Sequence, residues 1–345
     1  MKHFKWKSVI SLAAFLFIAT GCGDDSSEES NSSEEANGND STGEAVTLQV
    51  GHPAAQDTSY DIAARQFAEE LEEKTDGQVT LDVFESNQLG DERSMLEQVQ
   101  SGSLDMAITA VAPATNFVPE LQVLEMPFIF RDREHAYAAY DGEAGDALTE
   151  RLEEEGFKNL GFWEYGMKNI STVDREITSP DDLDGLQIRT QENDLTIDTY
   201  NALGADPTPV PFPEVYTSAQ QGVIEAYEGP YMSYADINLY EQLKYFNEIP
   251  IVMGNSIFVM NKDLFDELDT EIQDIIMELS EKYESMEREI SVEKNEEYKE
   301  TTEEAGVTII PEEEIDLESF REAVQPIYDE YTEFEDIIEM VENAE

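Results

Sequence analysis

Strand and helix patterns alternate along the first apolar part of the chain, and this alternation limits the fold more than any other feature. Residues 46–50, 79–84 and 104–109 have strand patterns. Between them, residues 60–74 and 91–100 carry apolar side chains at helical spacing. A β-α-β-α-β order predicts parallel strands joined by crossover helices, as in a doubly wound α/β sheet.

A further strand and helix, within residues 183–230, place one arginine at a position typical of ligand sites. Residues 185–190 have a strand pattern, residues 194–203 a helical one, and Gly204 follows where a left-handed residue ends a helix. Arg189 is therefore expected at the end of a strand, in the crevice where open α/β sheets bind ligands. Its planar guanidinium suits a carboxylate. The alternative is an internal ion pair with one of three acids: Glu192, Asp194 or Glu228.

The second half of the chain predicts one long helix among shorter elements. Proline-rich residues 205–213 are expected to form a rigid loop that presents Phe212. Residues 249–252 and 256–260 are expected to form a strand pair, and the long helix runs from residue 270 to about residue 298. Its single apolar stripe favours packing within the chain, with a coiled-coil dimer as the alternative.

The first 45 residues have the pattern of an exported lipoprotein. Residues 1–22 combine a basic end, a short apolar run and small residues before Cys22, which resembles a lipobox except that Ala19 stands where leucine is usual. Residues 23–45 are rich in Ser, Asn, Asp and Glu. We therefore expect a lipid on Cys22, followed by a flexible acidic tether.

The charge of the chain excludes several classes of partner. It has 79 acidic and 20 basic residues and a formal net charge of −59, which argues against nucleic acid and against anionic lipid surfaces. With 40% hydrophobic residues the chain still has material for a core. Concentrated salt screens such self-repulsion, so the composition predicts a halophile as the source.

Motifs for catalysis and metal binding are missing from the sequence. Cys22 is the single cysteine, and His52 and His135 show no ligand spacing, so neither a metal site nor a cofactor is expected. There is no GxSxG, Walker or GxGxxG motif. A binding protein is therefore favoured over an enzyme, with a surface hydrolase as the weaker hypothesis.

Several motifs resemble one family of solute receptors. DLDGLQIRTQEN, ALGADPTPVPFPEVY and QQGVIEAYEGP occur in the order and at the spacing of DLKGLKIRVPQS, ALGANPTPMAFSEVY and QQGVVDGQENP. The latter are typical of the DctP-type receptors of tripartite ATP-independent periplasmic (TRAP) transporters. QLGDER and GSLDMAI add to the likeness, which covers residues 46–310.

The resemblance implies a fold, a function and partners. It implies a two-lobed α/β fold like that of type II periplasmic binding proteins, with a hinge and a long C-terminal helix that spans the lobes. Lobe I would comprise residues 46–166 and 255–294, and lobe II residues 167–254 and 295–345. The receptor would capture a small organic acid outside the cell membrane, on its lipid anchor, and deliver it to small and large permease subunits. An ABC importer receptor and a ligand-sensing lipoprotein are the alternatives.

The resemblance also implies binding residues. Arg189 matches the defining arginine and Phe212 an aromatic residue of the pocket, while Glu192 occupies a polar position. Lys168 stands where the family often has a second arginine, and as a point charge it would clamp a carboxylate less well or pair with an acid instead. Gly229 replaces a common asparagine. Further wall residues would be Trp163, Tyr227 and Glu228. These differences favour a hydroxylated monocarboxylate such as a sugar acid.

Overall fold

Nine strands form one mixed sheet in the computed structural model, which describes residues 45–345. The strands are β1 (Val46–Gly51), β2 (Val79–Phe84), β3 (Met106–Ala110), β4 (Phe157–Thr172), β5 (Gln187–Thr190), β6 (Asp206–Pro209), β7 (Ala226–Gly229), β8 (Tyr245–Asn261) and β9 (Thr308–Ile310). Their order is β2-β1-β3-β8-β4-β7-β5-β6, and β9 pairs with β8. β1 is parallel to β2 and β3, as the alternation of patterns predicted. β8 is antiparallel to β3 and β4.

Helices cover the sheet, with short 3-10 turns between them. The α-helices are α1 (Ser59–Lys74), α2 (Glu92–Gln100), α3 (Val111–Ala114), α4 (Arg133–Tyr140), α5 (Glu143–Glu154), α6 (Asp194–Ala202), α7 (Val215–Gln220), α8 (Tyr231–Asp236), α9 (Lys262–Glu267), α10 (Thr270–Glu304), α11 (Leu317–Glu330) and α12 (Glu335–Glu342). The 3-10 helices are Pro119–Glu125, Pro180–Leu183, Phe212–Glu214, Leu239–Glu241, Glu312–Glu314 and Thr332–Phe334. Side-chain caps fix several helix starts; Asp91 accepts a hydrogen bond from the Ser94 amide at 2.8 Å, for example.

The described part of the chain has two lobes, which share one sheet and are joined by its two longest strands. We call β1–β3 with their helices lobe I, and β5–β7 with theirs lobe II; β4 and β8 lie between them. The predicted strand pair at residues 249–252 and 256–260 is instead the single strand β8. The expected turn between the two strands is absent, because Gly254 continues β8 without a break. This glycine gives β4 a close approach, and a Cβ there would lie 2.4 Å from the Gly166 carbonyl oxygen.

The chain was expected to pass between the lobes near residues 166, 254 and 295, and these three positions lie close together in the structure. Gly166 pairs with Gly254 next to an irregularity of the β4–β8 ladder. Gly166 has a φ of +101°, and a Cβ at this position would lie 2.9 Å from Oδ1 of Asn295. Side chains other than hydrogen would therefore be strained at Gly166.

Helix α10 connects the two lobes within one chain. It packs against α1 of lobe I, against β4, and against α8 of lobe II. Its apolar stripe is buried by these contacts, which favours the predicted packing within the chain over a coiled-coil dimer: Ile272, Ile276, Leu279 and Tyr283. Helix α12, which the sequence analysis assigned to lobe II, packs on α4 and α5. Among residues 45–345, no helix has the length and apolarity that crossing a bilayer requires.

Candidate functional site

A cleft of about 470 Å³ lies between the lobes. The loop after β1 contributes Pro53 and Ala54, and the first residue of α2 contributes Glu92. Strand β4 forms the base with Tyr165 and Lys168. The opposite wall comes from lobe II: Arg189, Gln191, Phe212, Tyr227, Glu228, Gly229, Met232, Ser233 and Asp236. The cleft therefore has the interlobe position at which a hinged receptor encloses a small solute.

Arg189 supplies an unpaired positive charge to this cleft. Its side chain is buried, Nε donates to the Val210 carbonyl at 2.9 Å, and the guanidinium carbon lies 5.5 Å from the centre of the Tyr227 ring. Within residues 45–345 no carboxylate lies within 4.0 Å of the guanidinium, and its terminal nitrogens have no hydrogen-bond partner. The alternative of an internal ion pair is therefore not realised. A fixed guanidinium with free terminal donors can hold a carboxylate through two parallel hydrogen bonds.

Lys168 is internally paired rather than free. Its ammonium nitrogen lies 2.5 Å from Oε2 of Glu125, 3.1 Å from Oε1 of Gln191 and 3.3 Å from Oε1 of Glu228. Burial by itself lowers the pKa of Lys168, but the charges of Glu125 and Glu228 outweigh it and hold this pKa above the usual value. The lysine is charged, and the second carboxylate clamp that the family pattern suggests is occupied by side chains of the protein.

Acidic side chains surround the rest of the cleft. Burial raises the pKa of Glu92, whose Oε1 accepts the Ala110 amide at 2.7 Å. Behind the cleft lining, burial likewise raises the pKa of Glu125 to about 7, against the opposing charge of Lys168. Asp236 of lobe II accepts the Ala55 amide of lobe I at 3.0 Å, so the lobes are also in contact across the cleft. Such carboxylates can accept hydrogen bonds from solute hydroxyls.

Four of the sequence-predicted residues line the cleft beside Arg189 and Lys168: Phe212, Tyr227, Glu228 and Gly229. The Tyr227 hydroxyl donates to Ser233 Oγ at 2.7 Å, which fixes the ring. A Cβ at Gly229 would lie 2.3 Å from Cε1 of Tyr227. An asparagine at this position would therefore clash with the tyrosine ring.

Two predicted wall residues lie elsewhere. Trp163 is 0% exposed and packs in the core, with ring centres 5.2 Å from Phe258 and 6.1 Å from Tyr60. It does not line the cleft; Tyr60 and Tyr165, which belong to the same core cluster, do so instead. Glu192 lines a smaller neighbouring depression and pairs with Arg93 at 3.5 Å.

Sequence reasoning missed several residues of the cleft: Tyr60, Glu92, Tyr165, Gln191, Ser233 and Asp236. A signal existed for two of them. Glu92 belongs to the QLGDER motif, and Gln191 directly precedes Glu192, which was predicted as a binding residue. Residues 45–345 contain no group of three acid, histidine or cysteine side chains able to hold a metal ion.

Comparisons with known proteins show the family to which the chain belongs. The DctP family, described as bacterial extracellular solute-binding protein, family 7, matches residues 50–334. A 2,3-diketo-L-gulonate-binding periplasmic protein of Escherichia coli is 31% identical over 280 residues, which are 81% of this chain and 85% of that protein.

Two solved TRAP periplasmic solute-binding proteins have the same fold. The protein from a Sulfitobacter species, with bound β-D-galacturonate, has a TM-score of 0.84 and 28% identity over 87% of this chain and 100% of its own. The protein from a Polaromonas species, bound to D-erythronate, has a TM-score of 0.84 and 28% identity over 87% of this chain and 99% of its own. The chain therefore belongs to the DctP family of extracellular solute-binding proteins, which are the extracytoplasmic receptors of TRAP transporters and not enzymes.

Proposed function

We propose that this receptor captures a hydroxylated organic acid, such as a sugar acid, and delivers it to the small and large permease subunits of a TRAP transporter. The observation that carries the proposal is the unpaired guanidinium of Arg189 in the interlobe cleft. The protein surface is strongly acidic, so an anion gains nothing from long-range steering, and only a local cation can hold it.

The remaining walls of the cleft favour a solute that carries hydroxyl groups. Oε2 of Glu228 is buried and has no hydrogen-bond partner within the described chain, so it can accept a hydrogen bond from a solute hydroxyl. Tyr165, Phe212 and Met232 add apolar surface for the carbon skeleton. The galacturonate and D-erythronate of the two similar structures have this chemistry.

Closure of the lobes on an unmodified solute is the expected behaviour. A thermal-shift screen of organic acids in concentrated salt would identify a ligand, because a ligand that binds only the folded state raises the unfolding temperature. X-ray scattering at a saturating ligand concentration should then show a smaller radius of gyration. The expected motion is a rotation of the two lobes about β4 and β8, the strands that join them.

Analysis of the ligand recovered after hours of incubation tests whether the protein hydrolyses it. We expect the ligand to be unchanged. An unchanged radius of gyration with a bound ligand would contradict the hinged receptor. Turnover of the ligand would favour the hydrolase alternative.

A lipid on Cys22 is the second part of the proposal. Cys22 lies outside the described residues, and its support is the sequence pattern of residues 1–45. The Cys22→Ala variant should move from the membrane fraction to the soluble extracytoplasmic fraction, because a lipid chain there supplies the anchor. Fractionation with fatty-acid labelling measures this, with Ser41→Ala in the tether as the matched control. An alanine variant that stays with the membrane and still takes up label would refute the anchor.

A further inference from the structure

Two hydrogen bonds and a further ion-pair contact within the protein engage the Lys168 ammonium. An ammonium group carries three N–H donors, and three acceptors lie within reach of Nζ: Glu125 at 2.5 Å, Gln191 at 3.1 Å and Glu228 at 3.3 Å. The side chains of Lys168 and Glu125 are 1% and 0% exposed. Two buried carboxylates thus compensate the charge of this lysine before any solute arrives.

The cleft consequently offers one free cation to a ligand. Of the cationic side chains that line it, Arg189 and Lys168, Arg189 alone lacks a carboxylate partner within the described residues. Glu92, Glu228 and Asp236 line the same cleft. A second carboxylate on the solute would therefore face acids at short range in a poorly solvated site, where like charges repel strongly.

We infer that Glu125 makes this receptor selective for solutes with a single carboxylate, because it pairs with Lys168, which could otherwise bind a second carboxylate of the solute. The inference rests on the proposed function. Glu125 reaches Lys168 from the 3-10 helix Pro119–Glu125, 43 residues earlier in the chain, and it is absent from the lining of the cleft itself. It therefore acts on the solute through Lys168 and is a positioning residue.

A purely structural role would not require a carboxylate at this position. Oε1 of Glu125 is buried without a hydrogen-bond partner in the described chain, and burial raises the pKa of this group. A glutamine would fill the same volume and accept the same lysine hydrogen bond without the burial of a charge. The negative charge itself is what distinguishes Glu125 from glutamine, and its effect is to cancel the charge of Lys168.

Matched pairs of acids test the inference on the unaltered protein. D-Erythronate and meso-tartrate differ only in whether the fourth carbon is a hydroxymethyl or a carboxylate, and D-galactonate and galactarate differ in the same way at the sixth carbon. In calorimetry at pH 8 and high salt, the monoacid of the pair that fits should bind at least about tenfold more tightly than its diacid, the effect of one unfavourable charge contact. Equal binding of a monoacid and its diacid would overturn the inference.

The Glu125→Gln variant tests the residue itself. Removal of this charge leaves Lys168 with Glu228 as its one carboxylate partner and makes the cleft less negative by one charge, so the affinity ratio of diacid to monoacid should rise by about tenfold. The matched control is Glu120→Gln, which makes the same substitution on the same 3-10 helix, at a side chain paired with Arg151 on the outer surface. It should leave the ratio unchanged.

The outcomes separate this inference from the proposed function. If the parent binds monoacids and the ratio stays constant in a Glu125→Gln protein with an unaltered unfolding temperature, the inference is wrong and the receptor function stands. If neither acid of either pair, nor any other carboxylate, binds the parent, the proposed function fails and the inference falls with it. If the Glu125→Gln protein does not fold, the comparison of monoacid and diacid binding to the parent protein still tests the inference, because equal binding would overturn it.

Discussion

Arg189→Ala is expected to weaken the binding of a carboxylate solute by about 30- to 4,000-fold, which corresponds to the loss of one partner of a buried charge pair. The guanidinium is buried, and its position is fixed by the Nε bond to the Val210 carbonyl and by the ring of Tyr227. Because Lys168 is already paired with two carboxylates, no other cation of the described cleft can replace it. Titration calorimetry with the identified ligand measures the loss.

Two further variants sharpen this measurement. Arg189→Lys should recover only part of the affinity, because an ammonium is a point charge without the parallel donors of a guanidinium. Arg93→Ala removes the same charge from an exposed arginine outside the cleft, which pairs with Glu192, and its affinity should stay within about threefold of the parent. A folded Arg189→Ala protein that binds as well as the Arg93→Ala control would show that the solute site lies elsewhere.

The sequence was sufficient to predict the elements around the site. The helices α1, α2 and α6 begin and end within a few residues of the predicted bounds, since their apolar periods, N-caps and terminal glycines act locally. Arg189 was placed correctly at the end of β5 for the same reason. The rigid loop expected at residues 205–213 begins instead as the edge strand β6, which pairs with β5 although it contains two prolines.

The electrostatic state of the site could not be predicted, because it depends on distances between distant residues. Glu125 lies 43 residues before Lys168, and among 79 acids no pattern distinguishes it from the others. The free terminal nitrogens of Arg189 follow equally from tertiary geometry, since two of the acids considered as its partners pair elsewhere: Glu192 with Arg93 and Glu228 with Lys168.

Irregular backbone limits what simple alternation along β4 can predict. Simple alternation along β4 assigns side chains to one face or the other, but this strand changes register against β8 at three places. Each irregularity exchanges the faces of the residues that follow. Trp163 and Tyr165 belong to the same core cluster, and of the two only Tyr165 reaches the cleft, where Lys168 also lies. Gly161 and Gly166, both with positive φ, mark two of these three places and are the sequence signal for the change there.

Lys168→Met should destabilise the protein by about 3 to 5 kcal/mol, the cost of leaving buried carboxylates without their cation. Glu125 and Glu228 are both buried and both lie within 3.3 Å of the lysine nitrogen. Urea unfolding at constant salt measures the change. Lys294→Met is the matched control, because Lys294 pairs with an exposed Glu297 on the surface of α10 and should change stability by less than about 0.5 kcal/mol.

The pH dependence of this loss separates a structural lysine from a ligand-binding one. In the parent, the charge of Lys168 opposes the rise that burial causes in the pKa of Glu125, which reaches about 7. Without the lysine this pKa rises further, so the folded variant holds protons at pH values where the unfolded chain has already lost them. Stability then increases as the pH falls, and the loss in Lys168→Met should shrink between about pH 8 and pH 5.

A triple variant shows whether the buried charges themselves cause the loss. Adding Glu125→Gln and Glu228→Gln to Lys168→Met removes the unpaired carboxylates, and most of the lost stability should return, because neutral side chains of the same volume replace the ions. A Lys168→Met protein as stable as the parent but unable to bind solute would contradict this view. The lysine would then contact the solute directly, and the selectivity attributed to Glu125 would need another origin.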